Sequence, residues 1–431
     1  MKRLTCLLLA IMLLVIALVS TVHGAPRTKV ELDFWTFWGS ETRRPVIEKI
    51  INDFNKSQDR IVVKHTYLPW GDIWTKNLAS IAAGHPADVI INDINSVAFR
   101  AKNNQVTEIS QYLPKDIADG YYPALWNTVL YEGGIYALPF VTDTRILFYN
   151  KDAFREVGLD PNKPPTNWEE LWDYANKLDK KQGNRYERIG FYPLYGIGMD
   201  VWAQLGDAGQ GYINYQYERP AINTPGKLAT WKWVKQWKDK YGDNTINTFQ
   251  AEFATRTAHP FLSGKLAMFA DIAGFYTQVR DYAPDMDLGV APLPEARPGS
   301  GHWSWGGGFV AEIPKGAKHV KEAVEFLQYL TGPAGAEHWA VMNFDNVANI
   351  EGSARAAKSS VLTAKGQEVY KMAADNLNWT TITPHPMYAP EWWNLVNPET
   401  DAFMMGRKTA EQALLDAQRA VERLIENTKS K

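Results

Sequence analysis

One cysteine stands in 431 residues, and it is Cys6, ahead of an apolar run at the N-terminus. Once that segment is removed, no disulfide, thiolate nucleophile or Cys-ligated metal centre can form, and stability has to come from packing. A charge excess is missing too: 46 Lys and Arg face 48 Asp and Glu. That balance excludes the basic field by which proteins hold nucleic acid. Catalytic signatures are absent, with no Gly-x-Ser-x-Gly elbow, no Gly-x-x-x-x-Gly-Lys phosphate loop and no His-Glu-x-x-His helix. The histidines after the leader, His65, His85, His259, His302, His319, His338 and His385, are scattered, and Gly306-Gly307-Gly308 lacks dinucleotide-binding spacing. A carboxylate pair for glycoside hydrolysis stays open, because such pairs meet in space rather than in sequence.

Long apolar runs are scarce as well. Lys2 and Arg3 precede the thirteen apolar residues Leu7 to Val19, and Val22-His23-Gly24 puts short residues before Ala25. This is the pattern of a secretory signal spanning residues 1–24, well short of the roughly 20 residues that cross a bilayer. Its removal leaves 44 basic against 48 acidic residues. No cysteine follows the run to carry a lipid, so a soluble periplasmic protein is expected.

What remains alternates between short apolar runs and amphipathic stretches. Val30 to Trp35, Ile61 to Val63 and Asp88 to Ile91 read as strands, separated by helical faces carrying Ile47, Ile50, Ile51 and Phe54, then Leu78, Ile81 and Ala82. Such alternation predicts an α/β fold with a mainly parallel sheet. Ligands then lie beyond the carboxyl ends of the strands, which nominates Trp35 to Glu41 and Asn92 to Ser96. Further on, Ile146 to Tyr149 is a strand. Thr166 with Glu169, and Thr409 with Gln412, are capping boxes that open helices.

Aromatics are abundant: 17 Trp, 20 Tyr and 17 Phe. Most fit core faces at helical spacing, such as Trp168, Trp172, Trp231 and Trp237.

Several segments in series carry a resemblance. They include Ile81-Ala82-Ala83-Gly84-His85-Pro86-Ala87-Asp88-Val89-Ile90, Gly133-Gly134-Ile135-Tyr136-Ala137-Leu138-Pro139, Leu147-Phe148-Tyr149-Asn150-Lys151-Asp152, Phe261-Leu262-Ser263-Gly264-Lys265-Leu266-Ala267-Met268 and Gly289-Val290-Ala291-Pro292-Leu293-Pro294. In this order the chain resembles the bacterial extracellular solute-binding proteins of the maltodextrin-binding type, which deliver ligand to ABC importers. The resemblance implies a two-lobed periplasmic-binding-protein fold of type II, with three interlobe crossings acting as a hinge. The crossings would lie near Pro139 to Thr142, Pro292 to Pro294 and Thr331 to Pro333. The N-terminal lobe would then be residues 25–138 plus 293–330, and the C-terminal lobe 139–292 plus 331–431.

It further implies a monomeric receptor without cofactor or metal, which binds a carbohydrate, an oligosaccharide, and presents it to membrane permease subunits without chemistry. Sugar rings need aromatic planes for their C–H faces and polar groups for their hydroxyl belt. Family positions carry Trp38, Ser40 and Glu41 beyond strand one, Asp93 and Asn95 beyond strand three, and Asp143 and Arg145 after the first crossing. They also carry Trp202, Phe275, Tyr276, Trp303, Trp305, Trp392 and Trp393. Asp143 and Arg145 can instead pair with each other, and only one of the adjacent Trp392 and Trp393 need face the cleft. The alternatives are a receptor for a polyol phosphate, a polyamine or iron, and an exported glycoside hydrolase.

Overall fold

A computed structural model describes residues 29–215, 218–253 and 259–430; the expected signal, residues 1–24, lies outside them. No helix among the described residues is long and apolar enough to cross a membrane.

The first lobe begins with β1 (Val30–Thr36), α1 (Arg43–Ser57), β2 (Ile61–Tyr67), α2 (Asp72–Ala82) and β3 (Val89–Asp93), and then β4 (Ala137–Thr142). In β1 alternate residues Leu32, Phe34 and Thr36 are fully buried, and α1 lays Ile47, Ile50, Ile51 and Phe54 onto the sheet. Ring centroids of Phe34 and Phe54 lie 5.1 and 5.2 Å from that of Phe326, and each fully buried aromatic of this kind contributes about 1.5–3 kcal/mol.

The second lobe follows with β5 (Arg145–Asn150), α3 (Trp168–Leu178), α4 (Met199–Gly206), α5 (Pro225–Glu252), β6 (Met268–Ile272) and β7 (Leu288–Pro292). β5 is the middle strand of a three-stranded sheet and is antiparallel to both neighbours. Four successive residues, Ile146 to Tyr149, are buried because the sheet is covered on both faces.

After β8 (Ser304–Gly306) the chain returns through β9 (Gly308–Glu312), α6 (Val320–Thr331), α7 (Pro333–Asn343), β10 (Asn346–Val347) and α8 (Ile350–Ala356). The remainder, α9 (Ala364–Asn376), β11 (Thr380–Ile382), α10 (Trp393–Met404) and α11 (Ala410–Lys429), packs with the second lobe or runs beside β8. The six-stranded sheet has the order β10-β4-β9-β3-β1-β2.

Within the six-stranded sheet, parallel pairing is confined to β1 with β2 and β3; β8 and β11 form a separate parallel pair. All neighbours of β9 and β10 are antiparallel, because those strands re-enter the sheet from the opposite side of the cleft. The mainly parallel expectation therefore holds for one half of one sheet. β4 belongs to the six-stranded sheet through to Thr142, so the strand expected to hand the chain over near Pro139 does so only past its end. Pro292 closes a strand of the three-stranded sheet. Pro333 opens α7, which packs on α1 and leads back into β10.

One cap differs by a residue. Asn167, not Thr166, caps α3 by accepting the Glu170 N–H at 3.0 Å, and Glu170 reaches back to the Thr166 N–H at 2.8 Å. The Trp168 N–H bonds the Glu295 carbonyl at 2.9 Å, and this bridge holds residue 167 extended at the helix start. The expected cap at Thr409 is in place, accepting from the Gln412 N–H at 3.2 Å.

Candidate functional site

β4 ends at Thr142, β5 starts at Arg145, and β8 and β9 meet at Gly307. The two passages lie against each other. Thr142 Oγ1 donates to the Gly307 carbonyl at 2.8 Å, and the Gly307 N–H donates to Asp143 Oδ1 at 2.8 Å. Gly306 and Gly308 allow this approach, since a Cβ on either would sit 2.4 Å from the Asp143 carbonyl oxygen or 2.2 Å from that of Val141. Gly308 also has φ 145°, a backbone state that favours glycine. The glycine run is a close crossing of two strands.

Behind the crossing lies a buried hydroxyl and amide network. Thr144 Oγ1 contacts Ser304 Oγ at 3.1 Å and Thr380 Oγ1 at 2.7 Å, and it accepts from Asn376 Nδ2 at 2.6 Å. The network holds the backbone from which Arg145 projects, as Ser304 Oγ accepts the Arg145 N–H at 2.9 Å. Arg145 pairs with Asp143, and its guanidinium lies 4.4 Å from the Trp305 ring centroid. Asp143 and Arg145 pair with each other, and Asp143 also lines a hollow between the lobes.

That hollow, about 370 Å³, is formed by Phe37, Trp38, Ser40 and Arg43 after β1, Val141 to Asp143 at the end of β4, and Ile272, Phe309, Asp345 and Trp70. Trp38 is only 2% exposed, with its ring 4.1 Å from that of Trp339. Trp70 is 61% exposed and stands edge-on to Phe37 at 4.8 Å. Arg43 grips Asp345 through two bonds, 2.7 and 3.0 Å. A second hollow, about 420 Å³, lies in the C-terminal lobe between α4 and α10, lined by Asp200, Tyr212, Trp392 and Trp393. Trp392 is stacked on Tyr212 at 5.2 Å and 19°. Trp392 and Trp393 both line it.

Desolvation raises the carboxyl pKa values of Asp271, to about 7, and of Asp200, whose surface is exposed, and outweighs the lowering by Arg145. The Asp143 carboxylate pushes Asp271 in the same upward direction as burial.

Other expected residues serve the framework. Trp202 is fully buried, donates Nε1–H to the Pro193 carbonyl at 2.6 Å and packs among Trp168, Phe191 and Trp233. Phe275 is walled by Phe148, Phe261 and Phe269, and Tyr276 packs on Phe344 with its hydroxyl 3.2 Å from Thr363 Oγ1. These three are core, because their backbone turns them inward where the aligned position alone does not. Glu41 is exposed outside both hollows. Asp93 caps its own turn by accepting the Asn95 N–H at 2.7 Å. Asn95 bonds across the cleft, donating to the Thr383 carbonyl and accepting the His385 N–H at 2.8 Å. Trp303 and Trp305 give their indole N–H groups to Thr381 and Thr383, each at 2.9 Å.

Trp70, Tyr212, Asp200, Asp271 and Arg43 were not anticipated. Trp70 follows β2, so the strand-end rule that nominated Trp38 and Asn95 reaches it too. Asp200 and Asp271 carry no sequence signal, since their setting depends on which strands and helices meet.

Comparison with known proteins places this geometry. Residues 38–337 match the family described as bacterial extracellular solute-binding protein. The arabinooligosaccharide-binding protein of Bacillus subtilis (strain 168) is 25% identical over 365 residues, covering 80% of each chain. The sn-glycerol-3-phosphate-binding periplasmic protein of Escherichia coli (strain K12) is 25% identical, covering 71% of this chain and 69% of that one. Among solved structures, CpMnBP1 with mannotriose bound superposes with a TM-score of 0.77 at 28% identity, covering 91% of this chain and all of that one. With two lobes around a hinged cleft and a family match over most of its length, the chain belongs to the bacterial extracellular solute-binding proteins.

Proposed function

We propose that this protein is the periplasmic receptor of an ABC importer, a soluble monomer that captures a carbohydrate, an oligosaccharide, between its lobes and passes it unchanged to the permease. The observation that carries this reading is the pairing of aromatic planes with hydrogen-bonding groups along the cleft. Trp70 and Trp392 offer faces for sugar rings, and Asp143 and Ser40 offer partners for hydroxyls. Trp38 Nε1 and Arg145 Nε are buried donors without an acceptor among the described residues. The division we favour assigns residues 29–142 and 308–356 to the first lobe and 145–306 and 364–430 to the second, following strand and helix packing. Mannotriose bound in one relative of like fold and an arabino-oligosaccharide receptor among the sequence relatives support the ligand class.

Thermal unfolding with mannotriose, maltotriose and arabinotriose tests the reading. A ligand at 100 times its Kd adds about 2.7 kcal/mol, a clear rise in Tm, and chromatography should return the sugar intact. Shortened sugar would establish a hydrolase instead, and no response to any neutral oligosaccharide would remove the carbohydrate assignment.

A further inference from the structure

We propose that this cleft selects uncharged sugars and turns away anionic solutes, phosphorylated polyols and uronic sugars included, and that Asp200 is the specificity-determining residue. The inference rests on the cleft being the ligand site, and it decides between the two ligand classes represented among the relatives.

The cations lining the cleft are already matched by carboxylates. Arg43 is held in a two-bond pair by Asp345, and Arg145 is paired with Asp143 and stacked on Trp305. Asp200 adds a carboxylate to the second hollow, where every other lining residue is uncharged. An entering phosphate or carboxylate would meet Asp200 there, with no cation lining that hollow to offset it.

The place of Asp200 makes the exclusion specific. α4 begins at Met199, and its N-cap, Gly198, has no side chain to bond the free N–H groups of the first turn. Such an N-terminus facing a cleft attracts anions through those N–H groups and the helix dipole. Here the Asp200 carboxylate folds back over it, so that a Cβ on Gly198 would lie 2.6 Å from Asp200 Oδ1. Backbone N–H groups of Val201 and Asp200 itself pull its pKa down against the effect of burial. The chain thus supplies its own anion where a phosphate would sit. Hydroxyl groups, which donate hydrogen bonds, suit a carboxylate at that point.

Calorimetric titration of the mature chain with mannotriose, maltotriose, trigalacturonate, sn-glycerol 3-phosphate and inorganic phosphate tests this. The parent protein should bind the three anions at least about a hundredfold more weakly than its best neutral sugar. Asp200→Ser should gain at least about tenfold in phosphate affinity, equivalent to 1.4 kcal/mol. Should Asp200→Ser fail to melt cooperatively, Asp200→Asn provides the same readout. Parent binding of sn-glycerol 3-phosphate or trigalacturonate within about tenfold of the neutral sugars overturns the exclusion and leaves the receptor reading standing. A folded Asp200 variant without any gain for phosphate overturns the role of Asp200. Neutral sugars that do not bind, combined with a phosphate gain in the variant, would sink the carbohydrate reading and uphold the exclusion.

Discussion

An aromatic side chain fills a core or faces a ligand according to what surrounds its ring, and Trp202 and Trp392 divide on that basis. Trp202 is enclosed by three aromatic neighbours and the Pro193 carbonyl. Trp392 has one face on Tyr212 and lines an open hollow. Trp202→Ala should cost about 3–5 kcal/mol of stability and leave intrinsic affinity for the neutral sugar near that of the parent. Trp392→Ala should cost about 2–4 kcal/mol of binding, from lost stacking and lost ring burial, with little change in Tm. Calorimetry and melting on both variants check the split; equal effects of the two on affinity would contradict it. Sequence spacing predicted core roles for Trp168 and Trp237 because a helix repeats its faces. It could not do so for Trp202 or Phe275, where family position was the guide and a short element's rotation decides the outcome.

Elements were legible where a local pattern dictates them. The first three strands, α1 and the cap of α11 follow from apolar periodicity and Thr409, and the structure has them within a few residues. Partner choice between distant strands was not legible, because no local signal says that β9 lies between β3 and β4. The glycine run at 306–308 is the sharpest instance, as its composition suggests a turn and its surroundings make it a crossing. A Cβ on Gly307 would meet only Asp143 Oδ2 and the Trp305 ring at 3.9 Å, whereas Gly306 and Gly308 are blocked by backbone oxygens. Gly307→Ala should therefore fold with stability close to the parent's. Gly306→Ala and Gly308→Ala should each lose about 1–3 kcal/mol or more through overpacking and strain. Denaturant titration of the three variants is the measurement, and a Gly307→Ala loss as large as the others would show that the crossing is tighter than described.

At the scale of the whole molecule, the lobes are tied at Asp143–Thr144, at Gly307 and through residues 357–363, and touch again where Asn95 meets Thr383 and His385. A cleft that opens and closes about such short passages changes shape without changing its secondary structure. Small-angle scattering should accordingly record a smaller radius of gyration with saturating neutral oligosaccharide, while the far-ultraviolet circular dichroism stays constant. An unchanged radius under saturation would mean that ligand enters a rigid site.

The late arrival of β9 has a consequence for how the protein comes into being. β9 is an interior strand of the first sheet, bonded to β3 on one side and β4 on the other, and its buried Glu312 accepts from Arg100 and Asn92. Until residue 312 has left the ribosome, β3 and β4 have no strand between them, and Arg100 has no carboxylate partner there. At roughly 5–20 residues per second, that wait is on the order of 10–30 s after β4 is made. Made in this order, the nascent N-terminal third cannot close into a finished sheet until β9 has been synthesised. The same interleaving that sets the hinge also sets the timing of maturation.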